Sequence, residues 1–438
     1  MGTLCSHFSK GCKPRERWLL GTEHEKIGYH MTNQAPLAYD VIESLLLGMA
    51  VDGWQPVYEE AHVIALKKGM ASVTLEPGGQ LELSGEPLHT VFEIEAELLQ
   101  HLNLVEHAAK PLGVNFLTVA FQPKWSRESI PWMPKSRYAL MQKYMPQVGK
   151  HGLDMMLRTA TTQVNLDYSS EQDMVKKMRI SCCLQPLVTA LYAASPFVDA
   201  KKTAWQSWRS RCWLDTDQAR TGIPAMIFED NFGFESYAQW ALDAPMYFVM
   251  RDEQFIDCMG QSFRDFLEGK LPALMGEFPT MDDWELHLST LFPDVRLKSY
   301  LEMRGADTGS QAWICSLPAL WKGLLYDEEN LQRLFQWVED WTHAEVNALR
   351  HDAAKEAFHA EFRGQKLHQM CAFMLQLAQE GLHRLHLEEG HADESVFLQP
   401  LLDAVQSGQT QADVWLAATK TATGHDMNQL FSMAKHWK

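Results

Sequence analysis

Residues 72–84 read Ser72-Val73-Thr74-Leu75-Glu76-Pro77-Gly78-Gly79-Gln80-Leu81-Glu82-Leu83-Ser84. Val73, Leu75, Leu81 and Leu83 fall on one side of a period-two pattern. Thr74, Glu76, Gln80, Glu82 and Ser84 fall on the other. A β-strand sends alternate side chains to opposite faces, so this stretch predicts a strand with one apolar face and one face of oxygen-bearing groups. Pro77-Gly78-Gly79 interrupts it, as a turn or bulge does.

The same spacing recurs outward from this stretch. Glu23-His24-Glu25, Gln163-Val164-Asn165 and Glu302-Met303-Arg304 each place an acid, amide or arginine on alternate residues. One Glu-x-Glu pair is routine on an exposed sheet face, and His24, on the opposite face, reads as a packing residue. Several carboxylates aimed at one point repel each other unless a cation lies between them. Hard oxygen donors suit Mg²⁺. The pattern therefore predicts a sheet whose inner face holds metal. Alternation from Val295 onward puts Arg296, Lys298, Glu302 and Arg304 on one face. Three cations beside an acid suit a polyphosphate next to a metal.

The rest of the chain bounds the answer. Its 438 residues, 46% of them hydrophobic, are enough for one large or two intimate domains. A net charge of −17 with no Lys/Arg run argues against nucleic acid. No eighteen-residue apolar stretch is present, and Met1 to Arg17 has no apolar signal-peptide segment, so a cytoplasmic protein without a membrane span is expected. The eight cysteines form no C-x-x-C pair, which disfavours zinc and a disulfide scaffold. There is no P-loop and no G-x-G-x-x-G fingerprint, so bound ATP would need another cradle.

Helical spacing is expected over Tyr39 to Met49, Leu88 to Leu112 and Ser170 to Ala194, with strands over Trp18 to Met31, Asn115 to Phe121 and Leu157 to Tyr168. From Leu320 onward the pattern is nearly all helix. Strands mixed with long helices outside βαβ order predict an α+β fold. The expected organisation is a region 1–320 and a helical region 321–438 packed on it as one continuous unit.

These residues resemble a family. Gly21-Thr22-Glu23-His24-Glu25-Lys26, Ser72 to Gln80, Met155-Met156-Leu157-Arg158-Thr159, Gln163 to Asp167 and Tyr300 to Asp307 look like the plant-type glutamate–cysteine ligases shared with many proteobacteria. The resemblance implies a glutamine-synthetase-like curved antiparallel sheet forming a funnel, flanked by helices. It implies ATP-dependent joining of the L-glutamate γ-carboxylate to L-cysteine through a γ-glutamyl phosphate, the first step of glutathione synthesis. Carried over, Glu23, Glu25, Glu76, Glu82, Gln163, Asn165 and Glu302 would hold two or three Mg²⁺ ions. Arg296, Lys298 and Arg304 would meet ATP phosphates, with Glu302, Lys298 and Arg304 at the chemistry. Arg209 and Arg220 would grip glutamate carboxylate, and Tyr247 would line the acceptor site. A monomer or homodimer is expected. Cys258 and Cys315 match two regulatory cysteines of plant members, but their partner positions hold Ala273 and Glu95, so no thiol–disulfide switch of that type is expected. An alternative keeps the fold and changes the amine acceptor. A carbohydrate hydrolase needs only two carboxylates and leaves Arg296, Lys298 and Arg304 unexplained.

Overall fold

The computed structural model describes residues 1–437. Nine strands form one antiparallel sheet: β1 (Leu20–His30), β2 (Gln55–Glu59), β3 (His62–Lys68), β4 (Ala71–Leu75), β5 (Leu81–Ser84), β6 (Val114–Leu117), β7 (Thr161–Leu166), β8 (Val295–Leu297) and β9 (Leu301–Asp307). Their order is β8-β9-β7-β1-β5-β4-β3-β2, and β6 pairs with the far half of β1. The α+β expectation holds.

Register explains why the alternating stretches meet. β1 lies between β5 and β7, with Glu23 opposite Ser84 and Gln163, and Glu25 opposite Glu82. Glu82 is in turn opposite Thr74. Glu302 is opposite Asn165 on one side and Arg296 on the other. Directly opposed residues share a face, so period-two spacing within strands and register between them gather one polar surface.

The interruption at Pro77-Gly78-Gly79 is a tight turn joining β4 to β5. Gly79 has φ +80, where other residues are strained, and a Cβ on Gly78 would lie 2.1 Å from the Leu157 carbonyl oxygen. The stretch Val295 to Arg304, expected as one alternating run, is instead the β8–β9 hairpin. Leu297 opposes Leu301 and Arg296 opposes Glu302, so the fold-back returns the same residues to the same face. The strand expected from Leu157 begins only at Thr161, because Gly152–Arg158 is helical. Gln80 Nε2 donates to the carbonyls of Met156 and Thr159 and ties that helix end to the turn.

Helices close the other side. Glu171–Leu191 starts at Ser170, whose side chain accepts from the Asp173 amide, and packs against β9. Gln311–Leu325 follows β9 directly and packs on Leu367–Glu389. The expected division at residue 320 falls inside Gln311–Leu325. One of the apolar clusters draws on residues from Leu4 to Ala404, and we propose that the regions 1–320 and 321–438 fold as one unit. Among the described residues no helix is long and apolar enough to cross a membrane. All eight cysteines are free thiols. Burial pushes the Cys258 thiol up to about 11 and the Cys315 thiol up to about 12, Glu95 adding to the latter.

Candidate active site

The polar face of the sheet forms the floor of a cavity of about 230 Å³. Of the expected residues, Glu23, Glu25, Glu76, Glu82, Gln163, Arg209, Tyr247, Arg296 and Arg304 line it. Glu302, Asn165, Lys298 and Arg220 lie outside the lining.

One end is acidic and short of partners. Glu25 accepts the Thr161 amide at 3.0 Å, and Glu82 accepts the Thr74 hydroxyl at 2.9 Å. Neither makes a salt bridge among the described residues. Burial, then repulsion from Glu82 and Glu76, raises the Glu25 carboxyl well above its ordinary range. Burial, then Glu76 and Glu23, pushes Glu82 up to about 8. Asn165 donates Nδ2 to Glu23 at 2.9 Å, while its own Oδ1 is buried with no partner. His24 faces the other side of β1, where its Nδ1 accepts from Lys26 Nζ at 3.0 Å.

The other end reverses this. Glu302 is fully buried and accepts four hydrogen bonds: Arg296 Nε (2.6 Å) and Nη2 (2.9 Å), Lys298 Nζ (2.9 Å) and Arg304 Nη1 (2.8 Å). Burial alone would raise its carboxyl, but Arg296, Lys298 and Arg304 outweigh that and hold it well below the usual range. Expected as a metal ligand, Glu302 here has its oxygens occupied by cations. Arg296, expected at phosphate, also donates Nη1 to the carbonyls of Ser289 and Leu291 at 3.1 Å, so little of its donor capacity remains. Arg304 keeps more: only Nη1 is engaged, to Glu302 and to Gln163 Oε1 at 2.6 Å.

Arg209 sits on the wall formed by the helix Trp208–Trp213. Its Nη2 donates to the Arg304 carbonyl at 2.7 Å, Asp307 lies 4.0 Å away, and its buried Nε has no partner. The expectation for Arg220 is corrected. It is completely buried behind the wall, with every guanidinium nitrogen bonded to protein, and cannot present a fork to a carboxylate without breaking those bonds.

Period-two reading missed the walls that come from helices, loops and short strands outside the main sheet. Arg137 and Met141 on the helix Ser136–Val148, Met155 and Met156, Trp213, Phe248 and Phe292 all line the cavity. Arg137 makes no salt bridge among the described residues. Met141, Met155, Met156, Tyr247 and Phe248 give the cavity an apolar, sulfur-rich component. A helical spacing of Arg137, Met141 and Tyr144 was the available signal.

A large antiparallel sheet thus gathers oxygen donors and a cation cluster over one cavity. The family follows from comparison: glutamate-cysteine ligase family 2 (GCS2) matches residues 19–431, and the chain belongs to it. The chloroplastic glutamate–cysteine ligase of Medicago truncatula is 49% identical over 411 residues, covering 94% of this chain and 80% of the relative. The chloroplastic glutamate–cysteine ligase B of Oryza sativa subsp. japonica is 47% identical over 429 residues, covering 98% and 86%. The solved glutamate–cysteine ligase of Francisella tularensis in complex with AMP shares the fold, with a TM-score of 0.58 at 11% identity over 95% of this chain and 87% of that one. These relatives also correct one expectation. They are chloroplastic proteins, so the cytoplasmic assignment is overturned. It rested on a missing apolar segment, which tests for secretion, whereas transit peptides are Arg- and Ser-rich and amphipathic.

Proposed function

We propose that this chain joins the γ-carboxylate of L-glutamate to the amine of L-cysteine at the expense of ATP. The observation that carries the reading is one cavity, in this family's fold, with under-partnered carboxylates at one end and the Glu302-gathered cations at the other.

A γ-carboxylate oxygen attacks the terminal phosphorus of ATP, the bond to ADP breaks, and γ-glutamyl phosphate results. The deprotonated cysteine amine then attacks the acyl carbon, a further N–H proton passes to solvent as the amide forms, and phosphate leaves with the electron pair of the broken C–O bond. Phosphorylation is needed because oxide is a poor leaving group. Catalysis of such a transfer is mostly positioning and charge neutralisation.

The residues divide that work. Arg304 reaches the transferring phosphoryl oxygens with the guanidinium N–H groups that Glu302 and Gln163 leave free, and Lys298 adds charge from the hairpin turn. Glu302 acts by holding Arg296, Lys298 and Arg304 at fixed positions. Arg209 and Arg137, the other lining cations with spare donors, hold amino-acid carboxylates. Tyr247, Met141, Met155, Met156 and Phe248 take the acceptor side chain, whose thiol suits polarizable sulfur neighbours.

The acidic end fits Mg²⁺ in kind: oxygen donors only, uncompensated charge, and the orphaned Asn165 oxygen beside Glu23. Among the described residues no three acidic, His or Cys groups are gathered tightly enough to cage a metal unaided. Mg²⁺ ordinarily keeps several waters and uses one or two carboxylates with substrate phosphate. Glu23, Glu25, Glu76 and Glu82, with Gln163 and Asn165, would hold two or three such ions, and bound Mg²⁺ would neutralise phosphate charge.

The test is phosphate release from ATP with glutamate, Mg²⁺ and a panel of amines. Cysteine should dominate. Dominance by another amine would move the reading to a ligase of the same fold with a different acceptor, and glutamate-independent release would overturn it.

A further inference from the structure

Arg220 was expected to touch substrate, yet its guanidinium faces the protein. Nε donates to Asp217 Oδ2 at 2.6 Å, Nη1 to the Thr290 carbonyl at 3.1 Å and hydroxyl at 3.3 Å, and Nη2 to the Pro245 carbonyl at 2.5 Å. Its central carbon lies 3.7 Å from the centroid of the Tyr247 ring, and the Tyr144 ring meets Tyr247 edge-on at 5.3 Å. Asp217 Oδ2 is also 3.5 Å from the Tyr247 hydroxyl. Tyr247 and Thr290 line the cavity, whereas Arg220 and Asp217 do not.

We infer that Arg220, braced by Asp217, is a positioning residue that sets the Tyr247 ring and thereby the selectivity of the cavity for its acceptor amino acid. This deepens the ligase reading and rests on it. The guanidinium is planar, so it can spend its N–H groups in the plane on three separate wall segments and still present its flat face to an aromatic ring. A lysine keeps the charge and cannot do both. The three segments are the loop at Asp217, Pro245 to Tyr247, and Thr290 at the end of the helix Met281–Ser289. Arg220 therefore locks the ring to the wall on either side of it. A ring free to tilt would admit larger side chains and hold a small thiol less well. The ligand class is a small amino acid with an apolar or thiol side chain, packed against Tyr247 where it lines the cavity with the methionines.

The experiment is steady-state phosphate release by wild type, Arg220→Lys, Tyr247→Leu, the double variant and Asp217→Asn, varying cysteine and ATP in turn. Arg220→Lys should raise KM for cysteine about tenfold and change KM for ATP less than about twofold. In the Tyr247→Leu background the same substitution should change KM for cysteine less than about twofold, because its effect passes through the ring. Equal movement of both KM values, multiplying effects in the double variant, or a lowered melting temperature with unchanged kinetics would each overturn the inference. Should Arg220→Lys fail to fold, Asp217→Asn decides: KM for cysteine up about threefold supports it, and an unchanged KM overturns it. Wild-type enzyme that released no phosphate with any amine would instead sink the ligase reading.

Discussion

Glu82 on β5 and Glu302 on β9 lie on the same face of one sheet, three strands apart, and the same side chain meets opposite surroundings. Glu82 shares its end of the cavity with Glu23, Glu25 and Glu76 and receives one hydroxyl, and its carboxyl is pushed up to about 8 by burial and by Glu76 and Glu23. Glu302 is buried more completely and receives four charge-assisted hydrogen bonds, which hold it well below its usual range against the same burial. Burial raises both, so the neighbours decide the sign. An acid that repels its neighbours is a place for an added cation. An acid surrounded by cations is a scaffold that fixes them for something more negative. One sheet thus provides both a metal-type end and a phosphate-type end.

The contrast can be broken from either end. The largest effect on turnover belongs to Arg304→Ala, which removes the Glu302-bound cation with most donor capacity left. Phosphate release should fall by about two to three orders of magnitude while circular dichroism and the melting temperature stay near wild type. Near-normal turnover would remove Arg304 from the chemistry. Glu302→Gln should lose turnover to a similar degree and, unlike Arg304→Ala, should also lose stability. It leaves three cations unpaired in a buried site, a change that costs about 3–5 kcal/mol in urea unfolding.

A smaller effect is expected from Mg²⁺. Thermal melting of wild type with ATP analogue should rise on adding Mg²⁺, and Glu25→Gln or Glu82→Gln should reduce that rise by at least about half. An undiminished rise in both variants would place the metal elsewhere. The smallest effect is on pH. A carboxyl raised in the folded state disfavours its own charge there, so the penalty is absent below the unfolded value of 4.5 and grows until pH passes the folded value of about 8. In chelating buffer the melting temperature should therefore decline by about 2 °C from near pH 5 to near pH 8, and Glu82→Gln should flatten the slope.

Much of the sheet was legible because period-two spacing is a strong physical constraint. Glu23, Glu25, Gln163 and Glu82 face one cavity as alternation required. Even the β8–β9 hairpin, misread as one strand, returned Arg296, Glu302 and Arg304 together, since its register preserves the face. Arginine destinations were not legible. Nothing in spacing tells whether a guanidinium ends on a ligand or on a backbone carbonyl, and Arg220 and Arg296 both took carbonyls. Arg137 was overlooked for a different reason: it reaches the cavity from a helix, and a reading tuned to strands passes over it.

The comparison of the two ends rests on the sign of one pair of measurements. Urea unfolding of Glu25→Gln and Glu302→Gln in metal-free buffer near neutral pH should give opposite shifts: Glu25→Gln more stable than wild type by about 1 kcal/mol as repulsion is relieved, and Glu302→Gln less stable by several. Destabilisation of both to a similar extent would show that the acidic end is compensated like the cationic one, and would contradict the account.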